Sequence, residues 1–188
     1  MKIKLPPTPP NPWKKIGTKK LYENPWMELY EDDVVRPDGS KGIYGKPVFG
    51  KSIATAVLRS DGKILLVGQW RYLLNMYTWE VPTGGCNKGE NPLDTAKREL
   101  QEEAGVTGKR WTAIGKITIP HIIDEGNLFL VEEIEVGKQH QDDVEDIHLH
   151  WLPFKDAIQL VDDGVITGWL SQIMLLKVDR YLKSRNKT

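Results

Sequence analysis

Three glutamates, Glu99, Glu102 and Glu103, are the side chains of this sequence best placed to do chemistry. Their spacing puts Glu99 and Glu103 on one face of a helix, with Glu102 beside them. Like charges arranged this way cost a helix about 0.2–0.5 kcal/mol per pair, so the cluster makes sense if a cation compensates it. Carboxylates without a neighbouring His favour a hard ion, Mg²⁺ or Mn²⁺, and magnesium commonly completes its shell with waters and substrate phosphates. Arg98 precedes the cluster and can pair with Glu102 one turn on, which would fix the direction of that carboxylate. The competing reading is a solvated acidic face with no chemistry.

The helix that must carry these groups is well delimited. Asn91 is a candidate N-cap, Pro92 sits at the first helical position and Gly105 stands just past the end. Leu93, Ala96, Leu100 and Ala104 form its apolar stripe. The glycine-rich loop before it, Gly84 to Gly89, would bring backbone N–H groups and the positive end of the helix dipole near an anion. That loop is a near miss to a P-loop. Glu90 follows Gly89 where Lys would be needed, and no Ser or Thr comes next.

Around the helix the chain reads as alternating strands and helices. Lys20–Tyr22 and Trp26–Val35 are strand-like and meet a turn at Arg36-Pro37-Asp38-Gly39. Ser52–Leu58 and Lys63–Val67 are apolar runs expected to pair as a hairpin through Ser60-Asp61-Gly62. Thr78–Val81, Trp111–Ile119, Asn127–Val136 and Ile147–Leu152 are further strands. Lys155–Val161 reads as a short helix. Gly168–Lys183 reads as a closing helix with Leu170, Ile173, Met174, Leu176 and Val178 toward the core. The expected class is α/β, an α/β/α sandwich around a mixed sheet. Residues 1–15 read as an extended Pro-rich tail, 16–48 as an N-terminal β arm and 49–188 as the main domain.

Composition narrows the function classes. The 188 residues carry 26 basic and 26 acidic side chains, a formal net charge of zero, against the basic excess typical of nucleic-acid binders. One cysteine, Cys86, excludes an intrachain disulfide. The start lacks the apolar stretch of a signal peptide, and no apolar run reaches membrane-spanning length. A cytoplasmic protein with no membrane partner is the expectation.

The stretch from Gly84 to Val106 resembles the signature of the Nudix hydrolases. Gly84, Glu90, Arg98, Glu99, Leu100, Glu102, Glu103, Gly105 and Val106 occupy every defined position. Chance would produce such a match on the order of once in 10⁸ windows. The resemblance implies the Nudix fold, with the signature as loop–helix–loop around divalent metal. By position, Glu99 and Glu103 would be the main ligands, Glu102 a further or bridging ligand, and the Thr83 carbonyl another. Glu90 would brace the loop.

Beyond the signature, the chain is similar to the ADP-ribose and nucleoside-diphosphate-sugar pyrophosphatase branch. Gln69-Trp70-Arg71-Tyr72 is similar to a stretch whose arginine contacts phosphate, a role passing to Arg71. Trp79-Glu80-Val81-Pro82 makes Glu80 a candidate near metal or ribose. Glu23-Asn24-Pro25-Trp26 and Arg36-Pro37-Asp38-Gly39 look like the branch's N-terminal arm, which implies a homodimer and gives Trp26 and Tyr44 the role of stacking on the base. The acidic run 141–146 corresponds to the loop of the catalytic base, with Glu145 aligning best and Asp143 second. The chain departs from the branch at Pro120-His121, with Glu125 in the place of a substrate-binding acid, and at Thr83.

The implied activity is Mg²⁺-dependent cleavage of a nucleoside diphosphate sugar to a nucleoside monophosphate and a sugar phosphate. The alternatives are a Nudix hydrolase of dinucleoside polyphosphates, capped RNA or nucleoside triphosphates, and a non-catalytic sensor of nucleotide sugars.

Overall fold

A computed structural model describes residues 5–119, 122–138 and 146–185. The chain divides into two compact units, the first reaching to Phe49 and the second starting at Gly50.

The first unit is a three-stranded antiparallel ribbon. Strand β1 (Lys14–Glu23) pairs with β2 (Glu28–Val35), which pairs with the first part of β3 (Lys41–Val57). The turn between β2 and β3 forms where Arg36-Pro37-Asp38-Gly39 announces it: the Asp38 carboxylate accepts from the Ser40 N–H at 2.9 Å, and Gly39 takes φ 85°. Segment 5–13 carries no regular structure.

In the second unit β3 continues into a sheet with β8 (Ile123–Val136) and the edge strand β7 (Val106–Thr118), and short β6 (Thr83–Gly85) adds to β3. A second sheet has the order β5 (Met76–Glu80), β4 (Lys63–Arg71), β9 (His148–Pro153). Three helices complete it: α1 (Pro92–Ala104), α2 (Phe154–Asp162) and α3 (Trp169–Arg185). The strands alternate between two cores, as the two-residue period requires. Ile64 and Leu66 face a core that takes Met174, Leu175 and Val178 from α3, whereas Leu65 and Val57 face one that takes Leu100 and Ala104 from α1. Helices therefore cover opposite faces, the α/β arrangement expected, with its strands shared between two sheets. No helix among the described residues is long and apolar enough to cross a membrane.

Two expectations need correction. The runs Ser52–Leu58 and Lys63–Val67 do not continue as a hairpin ladder, because β3 and β4 enter different sheets beyond the bridge between Leu58 and Ile64. On α3, Leu176 is exposed and Leu175 is fully buried. The buried stripe Ser171, Met174, Leu175, Val178 follows the i, i+3, i+4, i+7 rule, and Leu176 falls on the far side of it.

Candidate active site

The helix that carries the acids starts where its caps dictate. The Asn91 side chain accepts the Leu93 N–H at 2.9 Å, Pro92 needs no hydrogen bond in the first turn, and Gly105 closes the helix at φ 62°. Ala96, Leu100 and Ala104 lie fully buried against the core, and Leu93 is half-buried. Burying Leu100 alone contributes about 1.5–3 kcal/mol. That anchored stripe fixes the rotation of α1 and hence where its glutamates point.

Arg98 organises the acids. Its guanidinium lies 3.1 Å from Glu90, 3.0 Å from Glu99 and 2.9 Å from Glu102. Hydrogen bonds with Glu90 above all, then the charges of Glu99 and Glu102, raise its pKa further above the ordinary guanidinium value. Glu90 in turn accepts the Asn87 N–H at 2.9 Å, so it ties the glycine-rich loop to the helix. Glu103 is buried, Glu99 largely so, and Glu102 is exposed.

Gly84 is what lets the loop approach. A Cβ there would lie 2.3 Å from Cδ and 2.6 Å from Oε1 of Glu99. The loop backbone and the Glu99 carboxylate therefore share space that any side chain would fill. β6 holds Thr83 opposite Ala54 and Gly84 opposite Ile53, so the Thr83 carbonyl sits one residue before this contact.

The donor set suits a hard divalent cation: three carboxylates carried on one helix, one of them buried, beside a loop whose Gly84 leaves room for the Glu99 carboxylate. In this structure Glu99 and Glu102 both turn to Arg98, and no three acids, His or Cys among the described residues gather into a metal-holding group. Glu99, Glu102, Glu103 and the Thr83 carbonyl are the groups that would hold such an ion.

Arg71 and Glu80 form the second element of the site. Arg71 reaches along the β4–β5 hairpin to grip Glu80 through two hydrogen bonds, at 3.0 and 2.7 Å, and meets Gln69 at 3.0 Å. Thr78 donates to Glu80 at 2.7 Å. Burial pushes the Glu80 carboxyl up, but the hydrogen bonds from Arg71 and Thr78 outweigh it and hold it below the ordinary range. Ser171, which the sequence did not single out, accepts the buried Val81 N–H at 3.1 Å and so ties the start of α3 to the segment running from Glu80 to Thr83. Nothing in the pattern around Ser171 marks it, because the contact spans ninety residues.

Other candidates are placed separately. Glu125 lies on β8 and pairs with Lys116 at 2.8 Å, which lowers its pKa. Trp26 is exposed in the β1–β2 turn, where Asn24 accepts its N–H at 2.9 Å. Tyr44 stands opposite Asp32 in the β2–β3 register. From Trp26 to Asp32 the ribbon extends about 20 Å, so one chain does not bring Trp26 and Tyr44 together. The ring next to Tyr44 is Trp13, with centroids 5.7 Å apart in an edge-to-face arrangement. They flank a pocket of about 380 Å³ that Lys15, Asp32 and Lys46 also line. Glu145, Asp143 and His121 lie outside the described residues.

The Glu90 environment sets a pH dependence. Hydrogen bonds from Arg98, then from the Asn87 N–H, lower its carboxyl from an ordinary 4.5 to about 2. A depressed carboxyl stabilises the folded loop above its unfolded value and loses that contribution as pH falls through its folded value. The stability difference between the native chain and Glu90→Gln should therefore be full at pH 7 and shrink as pH drops from about 4.5 toward 2. Urea midpoints measured across that interval check this, and a difference that stays constant to pH 2.5 would contradict it.

Comparison with known proteins gives the family. A Nudix domain model matches residues 48–168, and a model described as the nucleoside diphosphate sugar hydrolase N-terminal domain matches residues 13–45. The chain belongs to the Nudix family. An ADP-ribose pyrophosphatase of Bacillus subtilis (strain 168) is 32% identical over 172 residues, covering 87% of this chain and 93% of that one. One from Mycobacterium tuberculosis (strain ATCC 25618 / H37Rv) is 30% identical over 175 residues, with 88% and 83% coverage. A crystal structure of an ADP compounds hydrolase has the same fold, with TM-score 0.80, 16% identity and coverage of 94% and 97%. The chain is thus a hydrolase of pyrophosphate bonds, from a family that generally uses a divalent metal ion.

Proposed function

We propose that this enzyme hydrolyses the pyrophosphate bond of ADP-ribose and related nucleoside diphosphate sugars, with Mg²⁺ as its ion. One observation carries the reading: a complete signature, joined through Arg98 into a single cluster, follows an arm that matches the nucleoside-diphosphate-sugar hydrolase model. The two ADP-ribose pyrophosphatases named above, aligned over most of their length, support the same substrate class.

Glu99, Glu102, Glu103 and the Thr83 carbonyl would hold the ion, which would supply charge neutralisation at the phosphates. Arg71, pre-aimed by Glu80, offers a planar fork of donors to a phosphate oxygen. Arg98 keeps Glu102 oriented, and Glu90 keeps the loop against the helix. Glu145, with Asp143 as the second choice, takes a proton from the attacking water. Trp26 from one subunit and Tyr44 from the other subunit of the proposed dimer hold the base by stacking, worth about 1–3 kcal/mol per ring, and Glu125 contacts the substrate. The products are a nucleoside monophosphate and a sugar phosphate.

The segment 16–48 acts as a dimerisation and base-binding arm, 1–15 as its tail and 49–188 as the catalytic domain. Support for a homodimer through the arm comes from the large apolar side chains this thin ribbon exposes, among them Ile16, Leu21, Trp26, Ile43 and Phe49.

The test is a kcat/KM comparison with Mg²⁺ across ADP-ribose, GDP-mannose, ADP-glucose, UDP-glucose, a dinucleoside tetraphosphate and a nucleoside triphosphate. A nucleoside diphosphate sugar should lead by at least tenfold. A lead by either of the last two would overturn the substrate class, and tight binding without hydrolysis would make the chain a sensor.

A further inference from the structure

A bowl of about 280 Å³ lies between α3 and β7, lined by Ala113, Ile114, Lys177, Arg180 and Tyr181. The backbone builds it. In the β7–β8 ladder Ala113 pairs with Phe129 and Gly115 with Leu128, so Ile114 bulges out of register. Gly115 takes φ 137°, and a Cβ there would lie 3.6 Å from Lys177 Nζ. β7 is the last strand of its sheet, so no further strand covers the bulge.

The helix supplies two cations to this bowl. Lys177, Arg180 and Tyr181 stand at positions i, i+3 and i+4 and so share one face of α3. Among the described residues no carboxylate lies within ion-pair distance of Lys177 or Arg180. The acids nearby are committed elsewhere: Asp179 pairs with Lys183 at 2.7 Å, and Glu132 is held by Arg185 at 3.0 Å and by Arg110. Two like charges thus face one concavity, and no carboxylate among the described residues pairs with either of them.

We infer that this bowl is a second binding site, separate from the glutamate cluster, for a small phosphomonoester. Arg180 offers a fork of donors matched to phosphate oxygens, Lys177 a compact charge, and Tyr181 a hydroxyl. Ala113 and Ile114 give an apolar floor for the carbon skeleton of an ester, which inorganic phosphate lacks. The site is distinct from the signature, because α3 packs on the core opposite the one that buries α1. It stands whichever pyrophosphate the enzyme cleaves.

The experiment is an amide NMR titration of the full chain at constant ionic strength, with glycerol 3-phosphate in one arm and inorganic phosphate in the other. Ile114 and Gly115 report on the bowl alone. Their shifts should saturate with glycerol 3-phosphate at lower concentration than with inorganic phosphate. The double variant Lys177→Gln/Arg180→Gln should weaken that binding at least tenfold while turnover stays within twofold of native. Shifts that grow linearly with both ligands, or an affinity unchanged in the double variant, would overturn the site. Equal or tighter binding of inorganic phosphate would overturn the assignment to an ester.

Discussion

Glu103→Gln should fold normally and lose about two to three orders of magnitude in kcat, the rate equivalent of the several kcal/mol a catalytic ion contributes. The substitution is nearly isosteric, so the buried position loses no volume. What it removes is a negative charge on the one signature glutamate that the fold buries. Among the three acids of the helix, Glu102 is exposed and Glu99 borders the loop. Burying a carboxylate is costly unless something opposite in charge is held beside it. Gln keeps the buried volume and so leaves the fold intact while impairing the site. Far-UV circular dichroism and a urea midpoint within about 1 kcal/mol of native, alongside the collapsed kcat, form the expected pair of results. Turnover within tenfold of native would remove Glu103 from the ion's ligands.

Gly84→Ala should give the second large loss, about a hundredfold in kcat, again with little effect on stability. The added methyl would overlap the carboxyl end of Glu99, which is the movable tip of a side chain and not backbone. Relief is therefore cheap for the fold and expensive for the site, since it displaces the Glu99 carboxylate by an ångström or more, and misplacements of that size cost about 10²-fold. Gly85 is the matched control. A Cβ at Gly85 meets nothing within 4 Å, so Gly85→Ala should keep its turnover. Equal effects at the two positions would mean that loop flexibility, and not the space shared with Glu99, is what glycine supplies here.

Local chemistry was legible because it is written in neighbouring residues. Asn91, Pro92 and Gly105 delimit α1 by capping rules that act within one turn, and the helix has those limits. The pairing of Arg98 with Glu102 follows from their four-residue spacing, and the bracing role of Glu90 from the resemblance to the Nudix signature. Contacts across long sequence separations were not legible. Pairing of β3 with β4 looked local, yet both runs are apolar on two faces, so their pattern does not name a partner, and β3 joins β8 and β6 while β4 joins β5 and β9. Leu175 and Leu176 are equal in composition, and only the phase of α3 against its core decides which one is buried. Tyr44 meets Trp13 through ribbon register, which an unaligned sequence does not reveal.

The most direct measurement is a Mn²⁺ titration followed by electron paramagnetic resonance, on the native chain and on Glu99→Gln/Glu103→Gln, with a non-hydrolysable nucleoside diphosphate present. Saturable uptake by the native protein and its loss in the double variant is the expected result. No uptake by the native protein, or uptake that survives the double substitution, would contradict the assignment of the α1 carboxylates as the enzyme's metal ligands.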